Sequence, residues 1–151
     1  MKIRKGYTIL ELVISISLIA MLFLISVPKF NKERIEYESF IFELKSDLRQ
    51  LGLESINRPN IYKMIFNRDG YRIYRSSDEI KSKKCKKGII ILSEEKIILY
   101  SRKARSGAPE KGRSIYIIDR NLKKVERITI MLGSGRVKSY SEDYYSLYGK
   151  E

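Results

Sequence analysis

The sequence predicts an α+β protein: a long N-terminal α-helix, transmembrane in its first half and amphipathic in its second, packed on a small antiparallel β-sheet domain. Three observations predict it. From Tyr7 to Val27 the chain is apolar apart from a few small polar residues, and its only formal charge is Glu11. From Tyr37 onward apolar residues recur at steps of three and four, which traces one face of a helix. From Asn60 onward they alternate with period two, as in half-buried strands.

The elements follow in order. Residues 1–6 hold Lys2, Arg4 and Lys5 and no acid. Residues 7–28 form the predicted membrane segment. At a rise of about 1.5 Å per residue they span about 30 Å, the thickness of a bilayer core. The three leading cations orient the N-terminus to the cytoplasm and place the remainder outside. A secretory signal peptide is the competing reading. Ser26-Val27-Pro28-Lys29-Phe30 is a poor cleavage site, and an acid at the start of the apolar run does not help export. Residues 29–55 continue the helix, with Tyr37, Phe40, Ile41, Leu44, Leu48 and Leu51 on the apolar face and Glu36, Glu43, Asp47 and Arg49 on the polar one. Gly52, or Asn57 to Pro59, ends it. A helix running unbroken from Tyr7 to Leu53 would measure about 70 Å. Pro28 removes a backbone donor between the halves, so a kink is expected there.

Residues 56–151 form a basic β domain. Ile61 to Asn67 and Tyr71 to Arg75 flank Arg68-Asp69-Gly70, a hairpin with Asp-Gly at its turn. Gly88 to Leu92 and Lys96 to Tyr100 flank Ser93-Glu94-Glu95 and read as a second hairpin. Ser114 to Asp119, Val125 to Leu132 and Arg136 to Tyr140 follow, for about six or seven strands. The tail after Tyr140 reads as a last strand or a frayed end.

Composition limits the function. The 151 residues suffice for one compact domain plus an anchor. The net charge of +13 predicts attraction to a polyanion and does not choose among nucleic acid, anionic lipid and wall polymer. Cys85 is the only cysteine, which rules out an intrachain disulfide, and it reads as an unpaired thiol beside lysines. There is no histidine, so a general base of that kind and a zinc site of several Cys and His are both excluded. No nucleophile elbow and no phosphate-binding glycine loop is present. Nothing calls for a metal or cofactor, and the chain reads as a non-enzyme.

Gly6-Tyr7-Thr8-Ile9-Leu10-Glu11-Leu12, behind a basic leader and ahead of an apolar helix, closely resembles the signature of type IV prepilins and pseudopilins. The usual first mature residue is phenylalanine, and Tyr7 keeps the ring. The resemblance implies a pilin-like fold and cleavage between Gly6 and Tyr7 by a prepilin peptidase. It implies methylation of the new Tyr7 amine and extraction from the cytoplasmic membrane, by an assembly platform with its ATPase, into a filament of pilin subunits at the cell surface. It also implies that Glu11 neutralises the terminal amine of a neighbouring subunit. Physical chemistry supports that role separately, because a carboxylate in an apolar bundle needs a partner.

The strand order resembles the C-terminal domain of the FimT/GspH group of minor pilins, in which a glycine-arginine motif closes the β domain and contributes to DNA binding in competence-linked members. Here the motif reads Gly135-Arg136-Val137-Lys138, with a lysine that keeps charge and loses fork geometry. Lys83, Lys84, Lys86 and Lys87 form one further basic loop, and Arg102, Lys103 and Arg105 another. Convergence of these groups with Arg136 and Lys138 would make a groove for phosphates, with Tyr100 and Tyr140 available to stack on bases. The expected function is a minor pilin-like subunit of a type IV pilus or competence filament, with non-specific contact to DNA or another polyanion. The alternative is a pseudopilin of a type II secretion-like system with no nucleic-acid role.

Overall fold

The computed structural model describes residues 8–26, 31–58, 60–101 and 108–148. The chain divides into two compact units, the boundary lying after Asn31.

The first unit contains α1 (Ile9–Ser26). Its start is a capping box. Thr8 Oγ1 accepts the Glu11 N–H at 3.2 Å, and Glu11 Oε2 accepts the Thr8 N–H at 3.1 Å. Ser15 and Ser17 donate back to the carbonyls of Glu11 and Val13, at 2.7 and 2.8 Å, so the helix satisfies their hydroxyls itself. The apolar side chains from Ile9 to Phe23 are exposed. Among the described residues no helix is long and apolar enough to cross a membrane. The 18 residues of α1 measure about 27 Å, against about 30 Å for a bilayer core. The leader, Tyr7, Val27 and the expected kink at Pro28 lie outside the described residues.

The second unit contains α2 (Lys32–Asn57), eight strands and the short α3 (Tyr144–Tyr148). Helix α2 buries Tyr37, Phe40, Ile41, Leu44, Leu48 and Leu51, the stripe that the three-and-four spacing traces. It runs through Gly52, which is buried, and ends at Asn57. Asp47 departs from its expected place on the solvated face: it is only 7% exposed, because it serves two partners from the sheet.

The strands are β1 (Tyr62–Asn67), β2 (Gly70–Arg75), β3 (Asp78–Lys84), β4 (Ile89–Ser93), β5 (Ile97–Tyr100), β6 (Arg113–Asp119), β7 (Lys124–Ile130) and β8 (Val137–Glu142). They form two antiparallel sheets, ordered β3-β2-β1-β5 and β4-β6-β7-β8. Tyr62, Met64 and Phe66 of β1 face inward, as do Tyr71 and Ile73 of β2 and Ile98 and Tyr100 of β5. The second sheet contributes Ile89, Ile91, Ile115, Ile117, Ile128, Ile130 and Val137. These side chains and the α2 stripe make one core. The Tyr37 hydroxyl donates to the Ile117 carbonyl at 3.1 Å, and the Phe40 ring meets Tyr71 edge-on at 5.9 Å, so α2 touches both sheets.

The Asp-Gly hairpin between β1 and β2 forms as expected. A side chain at Gly70 would collide with the Lys83 carbonyl, which explains the glycine. Three expectations change. First, β4 and β5 are not a hairpin, because β4 pairs with β6 and β5 with β1. The Ser93-Glu94-Glu95 segment carries the chain from one sheet to the other, and both strands have longer partners elsewhere. Second, Lys83 and Lys84 are not in a loop but, with Lys81, in β3, an edge strand. Its lysines suit an edge, where charge deters pairing with other chains. Third, the tail extends β8 to Glu142 and then turns into α3.

Candidate assembly and anion-contact surfaces

Glu11 stands in the first turn of α1. Its Oε2 accepts the Thr8 N–H and also lies 3.3 Å from the Thr8 hydroxyl, which donates to it. Both donors are neutral and exposed. An ammonium partner makes a bond roughly twice as strong, so the carboxylate can exchange these contacts for a cation. The Thr8-to-Glu11 spacing is itself a capping-box signal, overlooked in reading Glu11 for charge alone.

The lysines of β3 are largely committed within the fold. Lys81 and Lys83 stand in register with Ile73 and Tyr71, whose side chains face inward. Their ammoniums therefore meet α2. Lys81 Nζ lies 2.7 Å from Asp47 Oδ2 and 3.0 Å from Glu43 Oε1, and Lys83 Nζ lies 2.6 Å from Glu43 Oε2. The Tyr71 hydroxyl donates to Asp47 Oδ2 at 2.6 Å. Lys83 holds the Glu43 carboxyl below its ordinary range, with Lys81 adding to the effect. Burial pulls Lys81 down, but its bonds to Asp47 and Glu43 outweigh that and raise it. Burial, and then the bond to Asp47, pushes the Tyr71 hydroxyl far up. Beyond β3, Lys86 pairs with Glu36 at 2.8 Å and lowers its carboxyl. Lys84 and Lys87 are exposed.

Cys85 is half-buried against the core. Burial, with the charge of Asp69 adding to it, pushes its thiol up to about 12.

The third expected cluster lies elsewhere. The turn from β7 to β8 is built on Gly133 and Gly135, at φ of 75° and 62°, a region that side chains disfavour. The Gly135 N–H donates to the Met131 carbonyl at 3.1 Å, and the Met131 N–H to the Arg136 carbonyl at 2.9 Å. This turn sets Arg136 just ahead of the edge strand β8 and Val137 and Lys138 at its start. Lys45 Nζ donates to the Ser139 hydroxyl at 3.0 Å and pins α2 to β8. One turn further along α2 the two elements part. A groove of about 520 Å³ opens there, lined by Arg49, Gly52, Leu53 and Ile56 from α2 and by Ser134 to Lys138.

The described cations do not converge. Lys86 meets α2 at Glu36, whereas Arg136 and Lys138 share the groove with Arg49. The rise between Glu36 and Arg49 is about 20 Å. Arg102, Lys103 and Arg105 lie outside the described residues, and Arg113 beside that loop pairs with Glu95. Tyr100 is buried and has no face for a base. Tyr140 is exposed, with the Arg127 guanidinium 5.3 Å from its ring centre. The contribution of Arg49, Leu53 and Ile56 was not anticipated. Its signal is a second stripe, at steps of three and four, beside the buried one.

No protein-family model matches the sequence, and no match was found among curated proteins. Solved structures do match. The type IV minor pilin FimU of Pseudomonas aeruginosa aligns in two crystal forms, at TM-scores of 0.52 and 0.56. Identity is 11% and 14%, over 71% and 74% of this chain and 93% and 92% of FimU. The minor pseudopilin EpsH from the type 2 secretion system of Vibrio cholerae aligns at a TM-score of 0.52 and 12% identity, over 72% of this chain and 95% of EpsH. A helix laid on antiparallel sheets is thus the fold of minor pilins and minor pseudopilins, and it is the fold of this chain.

Proposed function

We propose that this chain is a minor pilin-like structural subunit, without catalytic activity, that assembles into a filament through its N-terminal helix. The observation that carries the reading is the likeness of its fold to minor pilins and minor pseudopilins, joined to an apolar α1 with Glu11 in its first turn. The comparably close likeness to EpsH supports a second reading, a pseudopilin of a secretion-like system.

In this reading prepilin peptidase cuts between Gly6 and Tyr7, and the Tyr7 amine is methylated. Residues 7–28 cross the cytoplasmic membrane once, with the leader cations inside and the β domain outside. The assembly platform then moves the helix into the filament shaft. A carboxylate in such a shaft is stable only with a cation beside it, and cleavage creates one at Tyr7. Glu11 exchanges its neutral Thr8 donors for the ammonium of a neighbour. Glu11→Ala then leaves processing and membrane insertion intact and stops incorporation into filaments. Normal incorporation of that variant would refute the pairing. Gly6→Ala leaves the leader attached, which mass spectrometry of the purified chain detects.

Non-specific contact with DNA or another polyanion is a further part of the proposal. It is supported by the net charge of +13 and by the exposed Lys84, Lys87, Arg136 and Lys138. With Lys81, Lys83 and Lys86 committed to carboxylates, few phosphates are neutralised and the salt slope is shallow. Gel shifts at increasing salt test it, and retention of DNA only below physiological salt leaves the purely structural subunit.

A further inference from the structure

The groove between α2 and β8 combines three features. Its floor is aliphatic: Leu53 is 62% and Ile56 43% exposed, beside buried Gly52 and Val137. Its rim carries Arg49, Arg136 and Lys138, and among the described residues none of the three forms an ion pair. Its wall is the start of β8, the edge strand of its sheet, where backbone groups on one side lack a strand partner.

We propose that this groove binds an extended acidic peptide segment of a neighbouring subunit, laid along β8 as an added strand. The inference rests on the reading of the chain as a filament subunit. Successive side chains of a strand point to opposite sides. A segment alternating aliphatic and acidic residues therefore sets one series on Leu53 and Ile56 and brings the other to the basic rim. Main-chain hydrogen bonds to an edge strand supply affinity in this mode, and the side-chain surfaces supply specificity. The complementarity is one of charge and hydrocarbon together. The acids that neutralise β3, namely Glu43 and Asp47, are turned to Lys81 and Lys83, and among the described residues no carboxylate lines the groove.

A single nucleic-acid strand is the competing occupant of a basic groove. The lining disfavours it. Binding of single strands draws on aromatic rings that stack on bases, and the nine lining residues include none. Three cations also neutralise few phosphates.

The test uses the full chain in detergent and fluorescence anisotropy with three labelled probes. One is a peptide alternating isoleucine and glutamate, one a peptide of equal length alternating glycine and glutamate, and one an oligothymidine of the same net charge. Binding of the isoleucine-glutamate peptide at physiological salt is expected, weakened about tenfold by Leu53→Glu and by Arg136→Glu. Both residues are exposed, so the variants should keep the fold, which near-ultraviolet tyrosine dichroism checks. Equal binding of the glycine-glutamate peptide overturns the proposal, since charge alone then suffices. Tighter binding of oligothymidine gives the groove to nucleic acid and overturns it too, as does failure of every probe to bind. The unassembled subunit is used, so failure here leaves assembly through Glu11 untouched. Failure of the Glu11 test likewise leaves the measured groove affinity standing.

Discussion

Asp47→Ala removes one carboxylate from between a tyrosine and a lysine, and its cost can be worked out in parts. Asp47 is 7% exposed and accepts from Tyr71 at 2.6 Å and from Lys81 at 2.8 Å. Tyr71 is 1% exposed, so its hydroxyl would be left buried without a partner. An orphaned buried group of this kind costs about 1–3 kcal/mol. Breaking a fully buried ion pair costs about 3–5 kcal/mol. Lys81 falls well short of that limit, because its side chain is 36% exposed and keeps Glu43 at 3.0 Å. Its share is about 1 kcal/mol. The sum is about 2–4 kcal/mol, a large part of the stability of an ordinary domain. Urea unfolding of the segment from Asn31 onward, followed by tyrosine dichroism, measures it. Tyr71→Phe in the same background separates the parts, since it removes the orphan, and the double variant should recover about 1–2 kcal/mol of the summed single losses. Strictly additive variants would show that Asp47 and Tyr71 are not coupled, and a loss for Asp47→Ala below about 0.5 kcal/mol would show that Asp47 does not hold α2 to the sheet.

Three further predictions concern the same domain. Ile128 is fully buried in the core, in register with Ile115, so Ile128→Ala should lower unfolding free energy by about 2–5 kcal/mol, whereas exposed Leu53→Ala should change it by less than about 0.5 kcal/mol. A carboxyl held below its ordinary value stabilises the fold above that value and loses the contribution as pH falls through the folded value. Glu43, depressed from 4.5, should therefore make the urea midpoint fall as pH drops below that value, and Lys83→Met should flatten the fall. An unchanged slope in that variant would remove Lys83 as the cause. The Cys85 thiol, raised to about 12 and half-buried, should react slowly with a thiol reagent near neutral pH and become fast after urea unfolding; equal rates would mean that it is not shielded.

The periodicities of the sequence carried most of the architecture. The α2 stripe from Tyr37 to Leu51 was readable because hydrophobic burial imposes the helical repeat on it. Seven of the strands were readable from alternation and from turn residues such as Asp69-Gly70 and Gly133-Ser134-Gly135. Strand β3 was not, because Asp78 to Lys84 contains a single large apolar residue, Ile80. Its lysines pair with acids more than thirty residues earlier, and no local pattern reports such a pair. The exchange of partners between β4 and β5 was hidden for a related reason. Short separation favours a hairpin in any local reading, while the actual partners are set by which strands complete each sheet. At the candidate surfaces, the Gly135-Arg136 motif was visible. The apolar floor opposite it was not, since it forms only where α2 and β8 part.

The separation of β4 from its sheet partner has a consequence for biosynthesis. Ile89-Ile90-Ile91-Leu92 is completed well before β6, its partner, begins at Arg113. At about 5–20 residues per second a ribosome needs about 1–4 s to make the intervening stretch. Throughout that interval a run of four aliphatic residues is a ready seed for clumping with sister chains. The acids Glu94 and Glu95 directly after it act as gatekeepers. Neutralising the exposed Glu94 should leave the finished fold nearly unchanged and yet lower the yield of material that reaches it, whereas Glu95 also pairs with Arg113.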